Sequence, residues 1–224
     1  DAIVATAKGV PYSLKLALGI HRETLNQNET PIPEHFTGTP YELHERFFRY
    51  LDDDALVRAL ELLAVPRTWD QKLYSTLADR FDPGFPRGRF NDLERFAFVK
   101  ELDEGRFTLH ERTREALREH GRTDPEKIHR FLFDHYDSRA RLPEHPRDIL
   151  PMHERAFEEA SYYGQEVMEL GELTEWISST ETIFYDAARW KLLARIHEGL
   201  LNLVETQPDT EHEVLSLLLH KISS

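Results

Sequence analysis

Along 224 residues, one stretch carries the alternation of a strand pair: "FVKEL", the turn "DEG", then "RFTLH", residues 98–110. Successive strand side chains point to opposite faces, so such a run covers a core on one side and meets water on the other. Elsewhere the apolar residues recur at three- and four-residue spacing, which lines them up along one face of a helix. From Asp124 onward no strand signal remains. The expected fold class is therefore mainly α.

The helices can be placed by their punctuation. "GVPYSLKLALG" opens one at Pro11, because proline at a first helical position lacks only an N–H that would be orphaned there. It fades in the linker "NQNETPIP". "TPYELHERFFRYL" restarts a helix with Thr39 as N-cap, Pro40 first and Glu42 completing a capping box. "DDALVRALELLAV" and "WDQKLYSTLADRF" follow, with Leu56, Ala59, Leu60 and Leu63, then Leu73, Leu77 and Phe81, at helical spacing. After "DPGFPRG", "RFNDLERFAF" is a short helix leading into the hairpin. Short helices, a hairpin and a closing helix follow the order of a winged helix.

Beyond residue 124, a helix begins at Pro125 with the stripe Ile128, Phe131, Leu132 and Tyr136. Further helices are expected near 149–168, 172–187, 189–206 and 210–222. Trp190, Leu193, Ile196, Leu200 and Leu203 mark one face of the longest. Short links between amphipathic helices imply an antiparallel α-hairpin, repeat-like array of tetratricopeptide type. Three modules result: a helical segment over 1–38, a winged-helix domain over 39–123, and the helical array over 124–224.

Charge separates the modules. The formal net charge is −13, with residues 41–120 nearly balanced and residues 125–224 at −9. Phosphate contacts need clustered Lys and Arg, so DNA is an unexpected partner. No apolar run of about 18 residues exists to span a membrane. There are no cysteines, which excludes disulfides and thiolate metal sites and suits a cytoplasmic location. The N-terminus has no initiator Met and no signal-peptide layout, as expected of a fragment of a longer protein.

Catalytic motifs are missing. There is no G-x-x-x-x-G-K-[S/T] loop to cradle phosphate and no G-x-S-x-G elbow. His-Glu occurs at 44–45, 110–111, 153–154 and 197–198, but the residue four after each His is Phe48, Arg114, Phe157 or Leu201. A zincin helix needs His there, so no metal site is expected; His135, His145 and His153 around "LPEHPRD" are the nearest approach to one. The chain by itself is not expected to be an enzyme.

His110 remains, a side chain that titrates near neutral pH at the seam between a strand and a charged helix. "GVPYSLKLALG" resembles the G-x-P helix start found after the nucleotide-binding core of signal-transduction ATPases with numerous domains, the NB-ARC and NACHT-like group. "RALELLAVPRTWDQKLYSTL" is similar to that family's winged-helix opening. "GRFTLHERTREAL" resembles its close, with Leu109-His110-Glu111 where the family has Met-His-Asp. The resemblance covers about residues 2–120. It implies that Pro11 lies against adenine and ribose and that His110 reaches the β-phosphate of ADP, which exchange for ATP would release. It also implies ADP/ATP as the cofactor of a parent protein, an upstream nucleotide-binding domain as partner, and self-association on activation. The fragment alone is expected to hold no cofactor. The array would bind a protein ligand or mediate assembly. Glu111, one methylene longer than Asp, puts that position's contacts in doubt.

Two other functions fit the same text. A winged-helix transcriptional regulator would read DNA with "RFNDLERFAF", although Asp92 and Glu94 sit beside Arg89 and Arg95 and the wing "DEG" is acidic. A plain helical interaction scaffold would give Pro11 and His110 no nucleotide role.

Overall fold

The computed structural model describes residues 11–37, 53–96, 98–141 and 143–206, together with Ile3, Glu42, Leu43, Arg46, Phe47 and Leu51. The expected cap at Thr39 and Pro40 and the helix over 210–222 lie outside the described residues. The chain is mainly helical and divides into two compact units, Asp1–Pro125 and Glu126–Ser224.

In the first unit, α1 (Pro11–Asn26) buries Leu16, Ala17, Ile20 and Thr24 along one face. Gly19 lets the aromatic edge of Phe47 come close: a Cβ there would meet Phe47 Cε2 at 2.9 Å. Leu14, Leu18 and Leu25 stay exposed. Helix α2 (Asp54–Leu63) starts where Asp53 Oδ1 accepts the Leu56 N–H at 3.0 Å, and α3 (Gln71–Phe81) where Asp70 Oδ1 accepts that of Leu73 at 2.7 Å. Each cap satisfies a donor that the first helical turn leaves without a partner.

Trp69 departs from the expected pattern. The sequence places it at the start of the "WDQKLYSTLADRF" helix, but it precedes the cap and exchanges backbone hydrogen bonds with Phe107 at 2.9 and 2.7 Å. Its ring is fully buried, stacked on Phe107 at 5.2 Å and edge-on to Phe90 at 5.7 Å. Tertiary packing of the largest side chain overrides local helix propensity here. Tyr74, also fully buried, donates its hydroxyl to the Phe85 carbonyl at 3.0 Å, and burial pushes its phenol up to about 12.

After the short helix α4 (Phe90–Glu94), strands β1 (Val99–Glu101) and β2 (Phe107–Leu109) pair antiparallel with Val99 opposite Leu109. A 3-10 turn over Asp103–Gly105 joins them, and Gly105 takes φ +68°, which a side chain would resist. Phe107 and Leu109 face inward, and α5 (Glu111–His120) follows at once. Among the described residues, the first unit's α-helices and strands run helix, helix, bridge, helix, helix, hairpin, helix.

The second unit contains α6 (Pro125–Ala140), α7 (Pro151–Gly164), α8 (Leu170–Asp186) and α9 (Trp190–Thr206). Its core stacks Phe157 on Phe184 at 4.7 Å and Tyr136 on Tyr163 at 5.8 Å. Gly164 brings α7 close to α8, since a Cβ would sit 2.7 Å from Leu173 Cδ1. Asp137 anchors Trp176 through the indole N–H at 2.8 Å. Arg195 forks onto both oxygens of Glu158 at 3.1 Å, tying α9 to α7. Of the α9 stripe, Leu193, Ile196 and Leu200 are buried, but Trp190 is 53% exposed.

Candidate functional site

His110 is positioned by the hairpin. Its N–H donates to the Phe98 carbonyl at 2.8 Å, extending the strand ladder by one residue. Its own carbonyl accepts from Thr113 at 2.9 Å and Arg114 at 3.0 Å, which begins α5. The residue therefore occupies the N-cap position, with φ −58° and ψ 137°, yet its imidazole makes no capping hydrogen bond to the helix. Leu109 beneath it is buried, while His110 itself is exposed. Partial desolvation holds the ring below the usual histidine value, the Arg112 cation adds to this, and Glu111 opposes both.

The seam is rigid because α5 reaches back across the unit. Arg118 donates to the carbonyls of Ala64 at 3.0 Å and Val65 at 2.8 Å. One turn earlier, Arg114 donates to the Arg67 carbonyl at 2.8 Å and to Thr108 Oγ1 at 2.6 Å. Guanidinium groups suit this task, since their several N–H donors spread over fixed directions. These two arginines bind the turn after α2 to the end of β2. Nothing in the sequence distinguishes them from a solvated charged face except their four-residue spacing.

Pro11, the other candidate, is the first residue of α1. Its neighbours Gly9 and Val10 lie outside the described residues. Pro11 and His110 thus open two different helices of the same unit.

The unit also holds an open cleft of about 890 Å³ between the second half of α1 and the segment around α4. Leu18, Phe47, Phe96 and Phe98 form its apolar wall, and Arg22, Arg89 and Arg95 reach it from the rim. The last two are occupied. Asp92 accepts from Arg89 Nε at 2.7 Å and pairs with Arg95 at 2.7 Å; Asp53 Oδ2 takes Arg89 Nη1 at 3.2 Å. The pairing raises the already high value of Arg89, Asp92 first and Asp53 second among the attractive partners. Those arginines, which a DNA-reading helix would present outward, are turned onto carboxylates of their own unit.

Around "LPEHPRD" the histidines are engaged locally. His153 Nδ1 accepts the Leu150 N–H at 3.2 Å, and His135 touches the Arg139 guanidinium and lies edge-on to Tyr136. Among the described residues, no three His, Asp or Glu side chains are grouped to hold a metal ion, and no helix is long and apolar enough to cross a membrane. No protein-family model, curated protein or solved structure matches this chain.

Proposed function

We propose that this chain is a regulatory segment of an ATP/ADP switch of the signal-transduction ATPase type, in which His110 senses the nucleotide's phosphates. In this reading the first unit is a winged helix: the Trp69 bridge acts as its short first strand, and β1 and β2 as its wing. The second unit is a tetratricopeptide-like array that binds a protein ligand. The nucleotide comes from a core joined to this chain, and a DNA-reading role is disfavoured by the paired Arg89 and Arg95.

One observation carries the reading. His110 is exposed on a braced seam, at the N-terminus of a ten-residue helix. The residues there suit an anion. The helix N-terminus is electropositive, and Arg112 lies two residues on. Glu111 works against a phosphate, so the histidine must supply the decisive hydrogen bond. An approaching phosphate would raise the pKa that the fold lowers and so favour the charged imidazole as donor.

The test is the ADP release rate of a protein that joins a nucleotide-binding core to this chain. Removing a charge-assisted hydrogen bond of about 1.5–3 kcal/mol should speed release roughly ten- to a hundredfold in His110→Ala. The melting temperature should stay close to wild type, since an exposed side chain contributes little burial. Unchanged ADP release together with a clear loss of stability would remove the sensing role.

A further inference from the structure

Among the described residues, five large apolar side chains of the second unit are exposed; Leu201 is one, and the other four come from two neighbouring segments. Leu150, Met152, Tyr185 and Trp190 are 53%, 55%, 59% and 53% exposed. They come from two segments, the entry to α7 and the turn between α8 and α9. Arg189 draws these together, paired with Glu154 at 2.8 Å and donating to the Ile149 carbonyl at 3.5 Å. Tyr185 and Trp190 meet edge to face at 4.6 Å. The result is one aromatic and aliphatic patch at one end of the unit. Single exposed apolar residues are ordinary, but a group of four around one arginine marks a contact surface.

We propose that this patch is the contact between two copies of this chain, paired about a two-fold axis. Charge selects that occupant. From Ala156 to Tyr185 there are seven acidic residues and no Lys or Arg, and Glu166, Glu169, Glu172 and Glu175 are exposed. A basic partner would be drawn to that stretch. The segments that supply the patch instead carry exposed Arg147, Asp148, Asp186 and Lys191 beside it in sequence, two charges of each sign. On a chain of net charge −13, a locally neutral end is where a second copy meets least repulsion. A two-fold axis through an apolar centre can also set each of these cations opposite one of these anions, as an isologous interface requires.

The area is consistent with this. Aromatic side chains carry about 150–250 Å² each, so two half-exposed aromatics with Leu and Met offer roughly 400 Å² of apolar surface. A standard interface buries about 800 Å² per partner, a little over half of it apolar. The patch matches one such interface.

Sedimentation velocity on the 224-residue chain over a concentration series tests the proposal. The expected result is a reversible dimer that Trp190→Asp and Met152→Asp each weaken at least tenfold, with helical content and melting temperature retained. A second readout follows from the three tryptophans. Trp69 and Trp176 are buried, so acrylamide quenching reports on Trp190 and should fall as dimer forms. If Trp190→Asp fails to fold, Met152→Asp and quenching of the wild type carry the test. A chain that stays monomeric up to about 100 μM, well above what a specific micromolar contact needs, overturns the proposal. So does a dimer indifferent to both variants, or one in which Trp190 remains quenchable.

Discussion

His110 shows how much one residue's surroundings decide. Desolvation first, and Arg112 second, hold its pKa below the ordinary 6.5, with Glu111 opposing. A histidine whose folded pKa is depressed is protonated more readily in the unfolded chain. Its contribution is therefore complete above the unfolded value and is lost as pH falls through about 6.5 towards the folded one. Denaturant titrations at about pH 7.5 and pH 5.5, either side of that value, should show wild type losing more stability on acidification than His110→Gln. The opposite sign, with wild type gaining relative to the variant, would mean that Glu111 rather than desolvation controls the ring. The position of this histidine was legible in the sequence, because an alternating run meets a charged helical run there. Its exposure was not, since that depends on what packs around the hairpin.

Helices start in this chain where short side chains can accept from the first turn. Asp70 caps α3 and does little else, so Asp70→Ala should cost about 1 kcal/mol within a usual range of 0.5–2. Asp53 caps α2 with one oxygen and takes Arg89 with the other. That pair is partly exposed, where ion pairs add about 0–1 kcal/mol, so Asp53→Ala should cost as much as Asp70→Ala or slightly more. Urea melts of the two variants make the comparison. A loss at Asp53 several times that at Asp70 would show that Arg89 braces the unit rather than decorating it. The expected helices near 149–168, 172–187 and 189–206 correspond to α7, α8 and α9 within a few residues. Caps, prolines and apolar spacing are short-range signals, and they suffice to place a helix.

In the molecule as a whole, Trp69 links distant parts of the first unit. It joins the segment between α2 and α3 to β2, and its ring touches both Phe90 and Phe107. Trp69→Ala should destabilise by about 3–5 kcal/mol, through lost burial and the cavity left behind. Amide exchange should then accelerate throughout residues 53–118 while α7, α8 and α9 keep their protection. Equal acceleration in both units would mean that they unfold as one cooperative block.

Local chemistry in the sequence determined where the helices run, that residues 98–110 form a hairpin, and that a histidine stands where the hairpin meets α5. Those features depend on neighbours within a few residues, so they can be read in order along the chain. The choice of long-range partners belonged to the tertiary structure. Arg118 finds the Ala64 carbonyl 54 residues away, and Arg89 finds Asp53 at a separation of 36. The burial of Trp69 and the exposure of Trp190 were decided in the same way. Both follow a break and precede an apolar helical stripe, and spacing cannot tell them apart. One meets Phe107 across a strand bridge and the other meets water, because only packing determines which end of a helix has a neighbour.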